Sequence, residues 1–253
     1  YLPDGGHLSH GWSYGANDDS DLVYRPQKKK VHIVSKLYEV VQYKLNPKTQ
    51  LFDYESLLHL AEQEKPKLII TGGTAYPRNI DYERVSKIAK SVGALYLADV
   101  AHEAGLIAAD VLPSPVGYAD LITFTTHKTL RAARGAVIIS KAELKKKINS
   151  SVLPGIQGGP FNHQIAGIAV GLKEAMSDEF KQYALQVIEN ANTLAQILME
   201  DGLDLITEGT DKHFVLVDLT GLNVDGKTAA IELEKQGIIV NMNTIPGEKG
   251  TPN

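Results

Sequence analysis

Four short apolar runs of strand length constrain the fold of this chain more than any other feature. The runs are residues 67–71, 94–98, 120–124 and 135–140. A helix that Asp81 can cap, and that continues to about Ser91, separates the first two runs. Apolar runs on this scale, with a helix between some of them, are typical of a mostly parallel β-sheet with helices on both faces. The sequence therefore predicts an α/β fold.

The segments on either side of these runs are less regular. Residues 1–30 are rich in Gly, Ser and Asp and are predicted to be loop, whereas short alternating runs in 31–45 predict strands. Further helices are predicted at residues 54–64, 161–176, 179–201 and 226–236, and further strands at 214–219 and 238–241. We expect residues 161–202 to form connecting helices, and residues 203–253 to begin a second, smaller α+β domain.

The composition narrows the classes of protein to consider. Of the 253 residues, 43% are hydrophobic and 22% are charged, which is ordinary for a soluble globular protein. A net charge of −4 argues against nucleic-acid binding, and no apolar run is long enough to span a membrane. The lack of cysteine excludes disulfides and thiolate metal sites. We expect a cytoplasmic protein without nucleic-acid or membrane partners.

Two polar segments follow neighbouring apolar runs. Residues 99–102 read Asp-Val-Ala-His after the second run, and residues 125–128 read Thr-Thr-His-Lys after the third. The carboxyl ends of parallel strands share one edge of a sheet, where open α/β folds build their sites. A lysine at this edge can form a Schiff base, and a carboxylate can hold a pyridinium nitrogen. Lys128 and Asp99 are therefore the minimum set for pyridoxal 5'-phosphate (PLP) chemistry.

Each of these side chains also has a structural interpretation. Lys128 could be a surface lysine after a strand, and Asp99 could be a helix N-cap. His102 lies three residues after Asp99 and could hydrogen-bond that carboxylate or the phenolic oxygen of the cofactor. His7 follows two glycines and could stack on an aromatic ring. Taken singly, a histidine is more often structural than functional.

A metal site is the less favoured use of the same residues. The candidate ligands are Asp99, His102, His127 and His7. Their spacing matches no His-x-His or His-Glu-x-x-His pattern, and a lysine beside His127 repels a cation. We therefore expect no metal.

A glycine pair precedes the predicted helix at 161–176. Gly158 and Gly159 could present backbone N–H groups to a phosphate at the start of that helix. The alternative is a plain loop before a helix that has Pro160 in its first turn.

Six segments, in this order, resemble serine hydroxymethyltransferase, a family of fold-type-I PLP enzymes. They are residues 2–11 (Leu-Pro-Asp-Gly-Gly-His-Leu-Ser-His-Gly), 75–78 (Ala-Tyr-Pro-Arg), 99–102, 125–131 (Thr-Thr-His-Lys-Thr-Leu-Arg), 154–160 (Pro-Gly-Ile-Gln-Gly-Gly-Pro) and 241–244 (Asn-Met-Asn-Thr). The resemblance extends nearly end to end. It implies that residues 1–160 are the PLP-binding large domain without its amino-terminal part.

The resemblance also implies a role for each candidate residue. The catalytic residues would be Lys128, Asp99 and His127. The cofactor would be bound by His7, Thr74, Asp99, His102, Thr126, His127 and Lys128, and by Gly158 and Gly159 across a subunit interface. The folate site would be lined by Leu2, Gly6, Leu8 and Asn243. The implied assembly is a homo-oligomer, either a dimer or a tetramer.

The implied reaction converts serine and tetrahydrofolate to glycine and 5,10-methylenetetrahydrofolate. The chain departs from the family at Ala132-Ala133, where Gly-Pro is usual, at Met242, where Lys is usual, and in a longer segment at 12–30. Segments of the family that carry a general acid/base Glu and a substrate-binding Arg have no counterpart here. We therefore expect the isolated 253-residue chain to be inactive.

Two other functions remain open from the sequence. One is a different fold-type-I PLP enzyme, such as a threonine aldolase or an aminotransferase, which shares the Asp and Lys but not the other segments. The second is a non-catalytic PLP-fold module that acts in assembly or in RNA binding. The acidic net charge argues against RNA.

Overall fold

The computed structural model describes residues 6–11, 13–14, 23–24, 29–30 and 32–246. Its strands are β1 (Ser13–Tyr14), β2 (Val23–Tyr24), β3 (Lys29–Lys30), β4 (Gln42–Tyr43), β5 (Leu68–Gly72), β6 (Leu95–Asp99), β7 (Leu121–Thr125), β8 (Ala136–Ser140), β9 (Asp204–Leu205) and β10 (Val217–Asp218). Its α-helices are α1 (Ile33–Leu37), α2 (Tyr54–Glu64), α3 (Tyr82–Ser91), α4 (Ala104–Ala108), α5 (Lys145–Val152), α6 (Asn162–Glu174), α7 (Asp178–Glu200) and α8 (Gly226–Lys235).

The central sheet has the strand order β5-β6-β7-β8. Strands β5, β6 and β7 are parallel, with Gly72 opposite Asp99 and Asp99 opposite Thr123. The last strand, β8, pairs with β7 in the antiparallel sense. A short connection without a helix permits that return, whereas a parallel strand needs a longer crossover. The predicted α/β fold with a mostly parallel sheet is confirmed.

Helix α3 forms where the sequence predicts it. The Asp81 side chain accepts a hydrogen bond from the backbone N–H of Arg84 at 2.9 Å, which satisfies a free donor of the first turn. Val85, Ile88 and Ala89 are buried on one face of the helix, because residues three and four apart share a face. Helix α3, which lies between β5 and β6 in the sequence, therefore packs its apolar face against β6 of the sheet.

Two expectations for the chain's flanks are wrong. Residues 33–37 form a helix rather than a strand, because the His32 ring accepts the N–H of Val34 and caps a helical turn. Residues 238–241 form no strand, and no partner strand lies beside them in the part of the chain that the structure describes. The strand predicted at 214–219 shortens to β10, which pairs with β9.

The chain forms two compact units. The first comprises residues 1–60, 73–80 and 187–253, and the second comprises residues 61–72 and 81–186. The described core of the first unit includes Tyr43, Phe52 and Tyr76, and the Tyr76 hydroxyl accepts the N–H of Phe52 at 3.0 Å. The core of the second unit includes Val85, Tyr96 and Leu106, which are fully buried. The division predicted above, at residues 160 and 202, stays a prediction.

Arg78 organises a strained turn in the first unit. Its guanidinium pairs with Asp211 at 2.8 Å and donates to the carbonyl oxygens of Thr207 (2.5 Å) and Glu208 (3.1 Å). Thr207 and Glu208 have φ values of 63° and 53°, in the left-handed region that non-glycine residues rarely adopt. The planar fork of arginine can serve all these acceptors together, so Arg78 stabilises backbone that is unfavourable by itself.

We expect Arg78→Ala to lower the free energy of unfolding by about 3 kcal/mol, since it removes several charge-assisted hydrogen bonds and leaves carbonyls unpaired. Thermal and urea unfolding of the full-length protein would measure the loss. Arg78→Lys is the matched comparison, and it should recover only a small part, because an ammonium lacks the bidentate geometry. An alanine variant as stable as the parent would contradict this role.

An ion pair joins the ends of two strands in the second unit. Asp120 accepts the backbone N–H of Tyr96 at 2.8 Å and pairs with the ammonium of Lys141. Burial raises the pKa of Asp120, but the hydrogen bonds from Lys141 and from the Tyr96 N–H outweigh it, so the pKa is lowered from 3.8. A lowered carboxyl pKa stabilises the fold above the unfolded-state value, and the contribution is lost as the pH falls through the folded-state value.

We expect Asp120→Asn to destabilise the protein by about 0.5–1 kcal/mol at neutral pH, a value discounted because Lys141 is partly exposed. The difference from the parent should shrink as the pH falls from 3.8 through the lower folded-state pKa of Asp120, below which the parent carboxylate is also neutral. Urea unfolding at about pH 7 and at a series of lower values down to about pH 2.5 would measure it. A difference that is independent of pH would show that the charge of Asp120 is unimportant.

Candidate active site

Asp99 and the lysine segment reach the same edge of the sheet. Asp99 is the last residue of β6 and Thr125 is the last residue of β7, and these strands are parallel neighbours. The Asp99 carboxylate accepts the backbone N–H of Ala101 at 3.1 Å, which holds it at the end of its strand. The shared edge predicted from the sequence is therefore present.

Lys128 lies in a loop that is closed by its own hydrogen bonds. We call residues 126–135 the lysine loop. Thr126 donates its backbone N–H to Gly135 at 3.0 Å and its hydroxyl to the Ala133 carbonyl at 2.6 Å, and its carbonyl accepts the N–H of Ala132 at 2.8 Å. Thr126 is fully buried. Its hydroxyl therefore maintains the loop, and the cofactor contact expected of it stays a prediction.

The environment of Lys128 lowers the pKa of its amine. The side chain is half-buried, and burial lowers its pKa from the ordinary lysine value. The positive charge of Arg134 acts in the same direction, while the negative charge of Asp99 opposes both. The net lowering increases the fraction of amine that can act as a nucleophile. It also indicates that the Asp99 carboxylate is close enough to interact with Lys128.

His127 presents a neutral ring with an unused polar atom. Burial lowers its pKa, and the positive charges of Arg134 and Lys128 lower it further, while a hydrogen bond with the backbone of Gly135 partly offsets them. Its Nδ1 is buried and has no hydrogen-bond partner among the residues that the structure describes. A buried polar atom without a partner is costly unless a ligand or water completes it. This atom is therefore a candidate contact for a bound polar group.

Thr129 joins the two polar segments and was missed from the sequence. Its hydroxyl donates to the carbonyl of His102 at 2.7 Å and accepts the N–H of Gly105 at 3.1 Å. His102 is half-buried in the turn that leads from β6 into α4. The only available signal was the position of Thr129 beside Lys128. The contact places Asp99, His102 and the lysine loop in one hydrogen-bonded framework.

The remaining predicted residues divide between the units. Gly158 and Gly159 belong to the second unit and are exposed before α6. The other cofactor and folate candidates that the structure describes belong to the first unit: Gly6, His7, Leu8, Thr74 and Asn243. Leu2 lies outside the described residues.

His7 is exposed, and its Nδ1 accepts the backbone N–H of Ser9 at 3.2 Å. The same nitrogen lies 2.7 Å from the hydroxyl oxygen of Ser9. Thr74 is half-buried, and Leu8 and Asn243 are exposed.

No group of three or more His, Cys, Asp or Glu side chains is arranged to hold a metal ion in the part of the chain that the structure describes. Within the same residues, no helix combines the length and apolar character needed to cross a membrane.

The sequence was compared with known proteins. It is 48% identical over 252 residues to the serine hydroxymethyltransferase of Methanosarcina barkeri (strain Fusaro / DSM 804), covering 99% of this chain and 57% of that protein. The serine hydroxymethyltransferase of Desulfotalea psychrophila is 46% identical, with 99% and 55% covered. That of Cupriavidus necator is 47% identical, with 99% and 56% covered. The chain thus spans about half the length of these curated relatives.

The family model described as serine hydroxymethyltransferase matches residues 1–252, nearly the whole chain. The match includes both the Asp99 segment and the lysine loop. On this match, the chain belongs to the serine hydroxymethyltransferase family.

Proposed function

We propose that the full-length protein is a PLP-dependent hydroxymethyltransferase, which converts serine and tetrahydrofolate to glycine and 5,10-methylenetetrahydrofolate. The observation that carries the proposal is the half-buried amine of Lys128, whose pKa is lowered and which interacts with the Asp99 carboxylate at one sheet edge. The names of the relatives and the family match support this reaction over an aldolase or a non-catalytic module.

The functional groups that the second unit brings to the sheet edge fit PLP. A nucleophilic amine suits the aldehyde, a carboxylate suits the pyridine nitrogen, and the buried Nδ1 of His127 suits a polar substituent of the ring. We propose that Lys128 holds the cofactor covalently and that Asp99 pairs with its ring nitrogen. His102, His127, Thr74 and Thr126 would contact the cofactor, and His7 would stack on it. When bound, PLP supplies an electron sink for charge that develops at the substrate α-carbon.

The chain's own residues prepare that chemistry electrostatically. The ionised Asp99 would keep a proton on the ring nitrogen, since a nearby negative charge favours the protonated form. The Nζ of Lys128 must be neutral to attack an aldehyde, and its burial favours that form. Burial and the nearby positive charge of Arg134 lower the pKa of His127, so its neutral ring can exchange a hydrogen bond with a ligand without adding a positive charge.

The remaining candidate residues lead to proposals for the substrates and for the assembly of the protein. We propose that Leu2, Gly6, Leu8 and Asn243 line the folate site, with serine and glycine as the other substrates. We propose a homo-oligomer in which Gly158 and Gly159 reach the phosphate of a neighbouring subunit's cofactor. The apolar side chains of Ile156 and Phe161 flank this pair and are 87% and 73% exposed, which suits a surface covered by another subunit. We further propose that the protein acts in the cytoplasm.

Reconstitution of the full-length protein with PLP tests the proposal. We expect a new absorbance band near the visible edge, and borohydride should fix the cofactor on Lys128, as located by peptide mass mapping. Serine cleavage should depend on tetrahydrofolate. Cleavage without folate would favour an aldolase, and failure to take up PLP would favour a non-catalytic module. The isolated 253-residue chain should show no turnover in the same assay.

A further inference from the structure

Helix α6 meets the lysine loop through two glycines. Gly167 and Gly171 are four residues apart and therefore share one face of the helix. A Cβ on Gly167 would lie 2.8 Å from the Cβ of Ala133, and a Cβ on Gly171 would lie 2.7 Å from the Cα of Ala132 and even closer to its Cβ. Carbon atoms pack at about 3.5–4.0 Å, so neither position has room for a methyl group.

A third contact extends this interface to the end of the loop. The Cδ1 of Ile168, on the same helix, lies 2.6 Å from the point that a Cβ on Gly135 would occupy. Gly135 in turn accepts the N–H of Thr126, so both ends of the lysine loop are held against α6. The loop therefore rests on the helix over a continuous stretch and not at a single point.

Helix α7 holds the same loop through Arg131. The guanidinium lies 4.4 Å from the ring centre of Tyr183 and 5.7 Å from that of Phe180, which is cation–π distance. Arg131 has a φ of 61°, and its N–H donates to the carbonyl of Lys128 at 2.9 Å. An unfavourable backbone angle persists only where its surroundings impose it. The contacts with α6 and α7 thus determine the path of the chain just after Lys128.

Two glycines inside one helix need a physical reason. Each costs about 1 kcal/mol of helix stability relative to alanine. The close approach of Ala132 and Ala133 supplies that reason, because each alanine methyl occupies the space that a side chain on the helix would fill. The glycines of α6 therefore accommodate Ala132 and Ala133 of the lysine loop.

We propose that Gly167 and Gly171 are positioning residues for Lys128. They set the distance between the lysine loop and helix α6. The inference rests on the proposed function of Lys128. Helix α6 begins at Asn162, so the helix that contacts the lysine loop follows Gly158 and Gly159 closely in the chain. A methyl group on Gly171 would lift the loop and displace Lys128 from Asp99.

The test adds a methyl group to helix α6 of the full-length protein and, in a second variant, removes the facing methyl group from the lysine loop. We expect Gly171→Ala to slow the borohydride-trapped attachment of PLP to Lys128 by about tenfold or more, since small displacements of reacting groups are costly. Amide hydrogen exchange in residues 128–135 should become faster. Gly167→Ala should slow attachment in the same way, and the double variant Ala133→Gly/Gly167→Ala should restore both rates, because the Cβ of Ala133 is the atom that a Cβ on Gly167 would meet. Gly226→Ala is the control, since a Cβ there would lie 3.6 Å from Met242, an ordinary contact.

The outcomes separate this inference from the proposed function. Attachment and exchange at parental rates in Gly171→Ala would overturn the inference and leave the proposed function intact. A parent protein that never attaches PLP at Lys128 would overturn both. If Gly171→Ala does not fold, Gly167→Ala and Ala133→Gly/Gly167→Ala decide: slow attachment in the first with recovery in the second supports the positioning role, and failure to recover contradicts it.

Discussion

Lys128→Ala is expected to abolish covalent attachment of PLP and to reduce turnover of the full-length protein by about 100- to 10,000-fold. The reason is that the amine with a lowered pKa beside Asp99 is the only nucleophile that we assign to the cofactor aldehyde. The absorbance of the holoprotein and the folate-dependent cleavage of serine would measure the two effects.

Two variants control this experiment. Lys146→Ala removes an exposed lysine on α5 and should leave both attachment and turnover unchanged. Lys128→Arg keeps the positive charge but not a nucleophilic amine, so it should behave like the alanine variant. If Lys128→Ala retained the band and its turnover, the assignment of Lys128 would be wrong.

Gly105→Ala is expected to destabilise the protein by about 3 kcal/mol, the upper range for overpacking a buried site. Gly105 lies in α4, and a Cβ there would overlap the carbonyl of Thr129 and lie 2.6 Å from the N of Leu130. Both neighbours are backbone atoms, which cannot rotate away as a side chain can. The strain would therefore act directly on the lysine loop, beside Lys128.

Thermal unfolding and the rate of PLP attachment would together report the effect of Gly105→Ala. Helix propensity alone predicts the opposite sign, because alanine is favoured over glycine in a helix by about 1 kcal/mol. Gly226→Ala, in the helix α8, should show only that small stabilisation. An unchanged melting temperature for Gly105→Ala would mean that α4 and the lysine loop are not in close contact in solution.

The elements that the sequence predicted well have strong local signals. The four apolar runs became β5 to β8 within about one residue, and Asp81 caps α3 as expected. The weak predictions were short segments at the flanks. Residues 33–37 became helical through a histidine cap, and residues 238–241 formed no strand. A short apolar segment can adopt either structure, and its partners decide between them.

The candidate site divides in a similar way. Asp99 and Lys128 could be identified because each follows a strand, and parallel strands bring their carboxyl ends to one edge. Thr129 and Gly105 could not, since their roles depend on the distance between two backbone segments that are far apart in the chain. The cofactor roles of His7, Thr74 and the folate candidates remain predictions.

The sequence by itself determined the α/β class, the order of the strands along the chain, and the residue types delivered to the sheet edge. Hydrophobic periodicity and helix capping depend on residues that are close in the sequence, so they can be identified without a structure. Only the tertiary structure decided that β8 runs antiparallel and that the lysine loop rests on glycines of α4 and α6. Those features depend on packing between distant segments, where a single methyl group decides whether two backbones can meet.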